Sequence, residues 1–179
     1  MIKWGILSTA KIATEQIIPA ITESKNSIIR GIASRDIKKA KKISKQFDIP
    51  KFFGTYDELL NCKKIDAIYI PLPTSQHVEW SIKSLKAKKH VLCEKPIALN
   101  VKEIDKINLE INKSNKIFSE AFMVYYHPQW KKVKELILSG EIGELKHVQG
   151  CFTYFNIDPK NMRNIPELGG GVLPDIGVY

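Results

Sequence analysis

The strongest constraint on the fold of this chain is a rhythm: short apolar runs alternate with longer amphipathic stretches. Residues 2–7, 27–34, 51–53, 65–72, 90–93 and 116–120 read as strands, several of them apolar at consecutive positions. Between them, Ile12, Ala13, Ile17, Ile18 and Ile21 recur at helical spacing. So do Ile37, Ala40, Ile43 and Phe47, and so do Ile104, Ile107 and Ile111. A short helix fits 56–60 and a longer amphipathic one 75–87, while Asp36 stands where a helix N-cap would. Strands alternating with helices predict βαβ units and a parallel sheet with helices on both faces. Continuously apolar strands predict a sheet buried on both sides.

The rhythm holds through residue 121 and then changes. A helix is expected over 128–138 and a longer aromatic strand over 145–156. A Pro/Asn-rich stretch then leads to Gly169-Gly170-Gly171. The expected class is α/β: a Rossmann-type doubly wound parallel sheet over 1–121, followed by the incomplete start of a C-terminal α/β domain over 122–179. With 179 residues and a second domain only begun, the chain reads as part of a longer protein.

Composition narrows the partners. The net charge is +9, but among 28 basic residues only Arg30, Arg35 and Arg163 are arginine. Readers of DNA sequence lean on the guanidinium fork that lysine lacks. The densest cluster, Lys38, Lys39, Lys41, Lys42 and Lys45, fits the solvated face of a helix. No nucleic-acid partner is therefore expected, and steeply salt-dependent DNA binding would speak against that. No apolar run reaches the ~18–20 residues that cross a bilayer. Met1 to Gly5 lacks the regions of a signal peptide. Cys62, Cys93 and Cys151 fit neither a disulfide framework nor a metal site. A cytoplasmic protein without a bound metal is the expectation.

The first strand runs into a small-residue turn, Ser8-Thr9-Ala10, and then a helix. In doubly wound sheets such a turn receives a dinucleotide pyrophosphate at the helix N-terminus. Ser8, Ala10 and Ala13 occupy the positions of the G-x-G-x-x-G/A pattern, so two of its three glycines are replaced. Taken alone, the turn fits a nucleotide site or an ordinary strand–helix connection equally well. After the second strand, an acidic residue would bind the ribose 2′-hydroxyl of NAD. Ser34-Arg35 stands there instead and suits the 2′-phosphate of NADP.

At Glu94-Lys95-Pro96 the sequence resembles a known family. The stretch 65–100 (IDAIYIPLPTSQHVEWSIKSLKAKKHVLCEKPIALN) resembles the glucose–fructose oxidoreductase/inositol dehydrogenase (Gfo/Idh/MocA) family. WGILSTAKIA resembles its first turn, and EAFMVYYHPQWKKVKELILSGEIGEL and NMRNIPELGGGVLPDIGVY resemble later segments in the same order. The Ser-Thr-Ala turn is similar to that of the sugar and dihydrodiol/xylose dehydrogenase branch. The resemblance implies NADP, or NAD, as cofactor and a sugar or polyol as substrate, with a homo-oligomer as the natural assembly. Cofactor contacts are expected at Ser8, Thr9, Ala10 and Ile12 in the first turn and at Ser34 and Arg35 after the second strand. Further contacts are expected at Pro71, Leu72, Thr74, Glu94 and Lys95, at His77 on the rim of the sheet, and at Arg163, which precedes the triple glycine and could reach cofactor or substrate. The resemblance maps the family's catalytic lysine to Lys95, and its aspartate and His/Tyr to Asp175 and Tyr179. Thr74 stands where Asn is common, and Tyr125 where Arg is often found.

Oxidising an alcohol requires a hydride acceptor and a base for the hydroxyl proton. A phenol is a poor base near neutrality, and an ammonium beside it favours the phenolate. That pairs Tyr179 with Lys95. Asp175 lies four residues before Tyr179, so on one helix the two would share a face. Each residue has a plainer reading. Lys95 could be a surface lysine, Tyr179 a packing aromatic, Arg163 an exposed salt-bridging arginine, and His77 a capping or packing residue; His127 reads as structural. The reading is an NAD(P)-dependent oxidoreductase acting on a secondary alcohol. The alternative is a non-catalytic dinucleotide-binding regulatory or sensor module.

Overall fold

The apolar runs become a single six-stranded sheet in the order β3-β2-β1-β4-β5-β6, every adjacent pair parallel. The computed structural model describes residues 1–177 and 179. Its strands are β1 (Ile2–Leu7), β2 (Ser27–Ala33), β3 (Phe52–Phe53), β4 (Ala67–Ile70), β5 (His90–Glu94) and β6 (Phe118–Ala121). The longer helices that connect them are α2 (Ile37–Gln46), α4 (His77–Lys86) and α5 (Val101–Ser114), with the short α3 (Tyr56–Leu60) after β3. After β1 the helix opens with a π-helical stretch, Ala13–Ile17, and continues as α1 (Ile18–Glu23). Pro19 accounts for the widened turn: it has no N–H to give, and its ring crowds the carbonyl four residues back.

The central strand β4 and the end of β1 are apolar at consecutive positions because both faces are covered. Ile68, Ile70 and Leu7 pack with Leu59, Leu85 and Ile107 from α3, α4 and α5. Their neighbours Tyr69 and Ile6 point the other way, to Ala13, Ile18 and Ile32. Ile68 is fully buried at the centre of the first core. Ile68→Ala is expected to cost about 2–5 kcal/mol, read as a lower urea midpoint with an unchanged slope.

The caps follow local chemistry. Asp36 accepts hydrogen bonds from the Lys38 and Lys39 N–H groups, as an N-cap should. The five lysines of α2 are exposed. α6 (Pro128–Leu138) forms where the sequence places it but buries none of its residues. The aromatic run 145–156 does not form the expected strand. A strand is held by ladder bonds to its neighbours, and no described strand pairs with this run. α7 (Val172–Ile176) carries Asp175 and stops three residues before Tyr179. Asp175 and Tyr179 therefore do not share one helical face, contrary to the spacing argument.

Candidate active site

Strand order reverses between β1 and β4, the place where a doubly wound sheet leaves a crevice at its carboxyl edge. A cleft of about 540 Å³ opens there. Its walls include Ser8, Ala10 and Ile12 from the first turn, and Pro71, Leu72, Thr74 and His77 from the end of β4. Glu94 and Lys95 come from the end of β5, and Arg163, Asp175 and Tyr179 from the far end of the chain. Thr9 is not among the wall residues, and Ser34 and Arg35 lie outside the cleft.

The first turn is built without its usual glycines. Ser8 takes φ 105°, a left-handed backbone that favours glycine. It offsets part of that strain locally, because its Oγ accepts the Ala10 N–H at 3.0 Å. Its own N–H donates to the Ala33 carbonyl of β2 at 2.8 Å. The next N–H groups open a helix, where first-turn donors have no intrahelical partner.

Arg35 stands at the end of β2 beside a separate hollow shared with Thr55, Tyr56, Gln76 and Trp80. Tyr56 and Trp80 meet edge to face at 4.9 Å. Burial raises the Tyr56 phenol pKa, while the Arg35 charge and hydrogen bond pull it down. Ser34 Oγ accepts the Asp36 N–H at 3.1 Å.

Lys95 follows β5, and its peptide bond to Pro96 is cis. Its Nζ donates to Asp175 Oδ1 at 3.1 Å and to the Asp175 carbonyl. The same ammonium sits 4.5 Å from the centre of the Tyr179 ring. Residues eighty positions apart thus meet around one ammonium. Tyr179 is further held by Phe122 at 5.4 Å and Phe152 at 5.9 Å. Burial works to raise the Asp175 pKa. Hydrogen bonds from Arg163 and then Lys95, with their charges, outweigh it and hold the carboxyl below the usual range.

The turn that presents Lys95 is anchored from behind. Tyr69 donates its hydroxyl to Glu94 Oε1 at 2.5 Å, and the Ile97 N–H donates to Glu120 Oε1 at 3.1 Å. Burial and the Glu94 charge push the Tyr69 phenol far above its ordinary pKa.

His77 is almost completely buried. Its Nδ1 lies 2.7 Å from the Pro96 carbonyl and its Nε2 2.7 Å from the Leu72 carbonyl. Burial lowers its pKa, against the opposing pull of these carbonyls and of Glu94 and Glu120. The neutral ring has one N–H, so one carbonyl receives a hydrogen bond and the other faces a nitrogen lone pair. Both nitrogens are thus engaged by the segments that follow β4 and β5. The capping-or-packing reading describes His77 better than a nitrogen offered to a ligand.

Arg163, expected to meet the cofactor or substrate, has its Nε 2.6 Å from Asp175 Oδ2. Lys11, Glu15, Gln16, Met123 and Met162 also line the cleft and were not singled out from the sequence. Beside it, Phe122, Tyr125, Trp130, Lys131 and Tyr179 enclose a second hollow of about 410 Å³. The E-A-F-M-V-Y-Y-H-P-Q-W run carried its aromatic residues in plain view, but nothing in their spacing shows that they meet Tyr179. Among the described residues, no group of three or more His, Cys, Asp or Glu side chains could hold a metal ion. None of the described helices is long and apolar enough to cross a membrane.

Comparison with known proteins places this site in context. Residues 2–122 match the family described as oxidoreductases with an NAD-binding Rossmann fold, GFO/IDH/MocA. Residues 130–179 match that family's C-terminal domain. An uncharacterized oxidoreductase of Rhizobium meliloti is 42% identical over 179 residues, covering 100% of this chain and 54% of its own. The dTDP-3,4-didehydro-2,6-dideoxy-alpha-D-glucose 3-reductase of Saccharopolyspora spinosa is 35% identical, covering 99% of this chain and 53% of its own. A 3-ketoreductase from Actinomadura kijaniata, solved with NADP and TDP-benzene, superposes with a TM-score of 0.95 at 32% identity. That match covers 99% of this chain and 55% of the other. The chain spans about half the length of the curated relatives it matches.

Proposed function

The chain belongs to the Gfo/Idh/MocA oxidoreductases, and from that premise we propose that it supplies the cofactor site and the proton-handling residues of an NADP-dependent enzyme. The substrate is the secondary alcohol, or the matching ketone, of a sugar or cyclitol. A nucleotide-linked sugar is the favoured form, because relatives that cover this chain almost end to end reduce dTDP-linked sugars or were solved with TDP-benzene. One observation carries the reading. Lys95 from the middle of the sequence and Asp175 and Tyr179 from its far end converge in the cleft at the sheet's switch point.

The residues present fit NADP. The strand–turn–helix at Ser8 offers first-turn N–H groups to a pyrophosphate. Arg35 and Ser34 offer a guanidinium and a hydroxyl to a 2′-phosphate, and Tyr56 and Trp80 line the hollow beside Arg35. When bound, the nicotinamide accepts the hydride in oxidation or supplies it in reduction. The chain's own residues do the rest. The Lys95 ammonium binds the substrate oxygen and stabilises negative charge on it. The Tyr179 hydroxyl exchanges the proton of that oxygen, beside the Lys95 ammonium that faces its ring. Asp175 fixes Lys95 and balances its charge.

The free thiols of Cys62, Cys93 and Cys151 fit a reducing compartment, so the reading includes a cytoplasmic location. Exposed Val148, Phe152, Phe155 and Ile157 leave apolar surface that fits burial in the homo-oligomer the family resemblance implies.

The cofactor half of the reading is tested by fluorescence titration of the natural full-length protein. Arg35→Ala is expected to weaken NADPH at least about tenfold and to change NADH by less than about threefold, the value of one charge-assisted contact. Equal losses for both cofactors would remove Arg35 from the 2′-phosphate site. Tight NADPH binding without turnover on any sugar, polyol or dTDP-linked ketosugar would favour a non-catalytic module.

A further inference from the structure

Asp175 is gripped on both of its oxygens. Oδ1 accepts from Lys95 Nζ at 3.1 Å, while Oδ2 accepts from Arg163 Nε at 2.6 Å and from the Tyr154 hydroxyl at 3.2 Å. The Asp175 side chain is 14% exposed, against 43% for Arg163. The arginine therefore reaches inward from the rim and sets its Nε on the carboxylate.

Its backbone is built to make that reach. Arg163 lies in a single 3₁₀ turn, Met162–Asn164, whose cap Asn161 accepts the Arg163 N–H at 3.1 Å. Asn164 ties the turn back to the Asp158 carbonyl at 2.8 Å. The Arg163 carbonyl then accepts the Gly171 N–H at 3.0 Å, at the start of the helix that carries Asp175. Glycine is needed for this approach. A Cβ on Gly170 would stand 2.5 Å from the Met162 carbonyl oxygen and 2.7 Å from that of Arg163. The triple glycine thus folds the chain over Arg163 and brings the guanidinium and the carboxylate together from both sides.

We propose that Arg163 is a positioning residue which, with Tyr154, fixes the Asp175 carboxylate so that its second oxygen faces the Lys95 ammonium. This rests on the reading of Lys95 above. A carboxylate bonded to Lys95 alone can turn about its own axis or take the ammonium on either oxygen. A guanidinium on Oδ2 leaves one orientation. It also keeps the group ionised, since burial alone would raise its pKa and favour the neutral acid, which holds an ammonium weakly. The charged and titratable groups around the carboxylate are Lys95, Arg163 and Tyr154, with Tyr179 behind the ammonium.

The rival role for Arg163 is direct contact with a bound phosphate, since it also lines the cleft. Two measurements separate them. In the natural full-length protein, the Asp175 carboxyl is followed by ¹³C NMR against pH, and NADPH binding by fluorescence titration. With Arg163→Met the Asp175 midpoint should rise by at least about one pH unit, the scale of a lost charged hydrogen bond, with NADPH affinity held within about threefold. Arg163→Lys keeps the charge without the fork, so its midpoint should fall between the two. It also serves if the methionine variant does not fold. Turnover should drop about tenfold or more at unchanged KM for NADPH. An unmoved midpoint in both variants overturns the proposal, as does NADPH binding weakened more than about tenfold with an unmoved midpoint. The NMR readout does not depend on turnover: a shifted midpoint in a protein without activity upholds the clamp and overturns the functional reading.

Discussion

Replacing Lys95 by methionine is expected to lower kcat by about 10²–10⁴-fold while leaving NADPH affinity within about threefold, the signature of a group that acts on the reacting oxygen. Methionine keeps most of the stem, so the change removes the ammonium with little loss of packing. The carboxylate it leaves behind keeps Arg163 and Tyr154 on Oδ2, so the site is not left with an unpaired buried charge. The turn also stays anchored, through Tyr69 on Glu94 and Ile97 on Glu120. Loss of turnover in a stably folded variant would therefore report on chemistry. Single-turnover assays with the dTDP-linked ketosugar and with free sugars provide the measurement. Wild-type turnover in the variant would remove Lys95 from the reaction and reduce it to a partner of Asp175.

Most of the sheet was legible because its physics is local. A strand buried on both faces must be apolar at consecutive positions, and Ile68, Tyr69 and Ile70 are, with Tyr69 turned to the opposite core from its neighbours. Caps are local too, so Asp36 could be read directly. The run 145–156 failed for the opposite reason. Its aromatic pattern is that of a strand, but a strand exists only where others complete its ladder.

The site divides the same way. Lys95 and Asp175 could be named through the family resemblance, because the E-K-P and glycine-rich motifs are continuous in sequence. Their contact across eighty positions could not be read from spacing. The same holds for Tyr69 and Glu94. Tyr69 pairs with Leu92, and Glu94 is the next residue on that face of β5. The hydrogen bond becomes visible only once the register is known. The sequence places Arg163 just before the triple glycine, yet only the fold shows that Gly170 and Gly171 close over it and bring it to Asp175.

Tyr179→Phe should cost kcat about as much as loss of Lys95, about 10²–10⁴-fold, with a different dependence on pH. Phenylalanine keeps the ring that Phe122 and Phe152 pack against and that the Lys95 ammonium faces. Only the hydroxyl is lost, so stability and NADPH affinity should stay near wild type. Without that hydroxyl, solvent must exchange the proton on the substrate oxygen. Oxidation should then become faster with rising hydroxide, and the limb of the kcat profile that belongs to the phenol should disappear. The Lys95 variant keeps the hydroxyl and should therefore keep such a limb. In a Lys95→Met/Tyr179→Phe double variant the losses should be far from additive, since the two groups act on one oxygen as a unit. Additive losses would separate them into independent roles. A phenylalanine variant with the wild-type profile would leave Tyr179 as a packing aromatic beside Lys95 and pass the proton to water or to a residue beyond this chain.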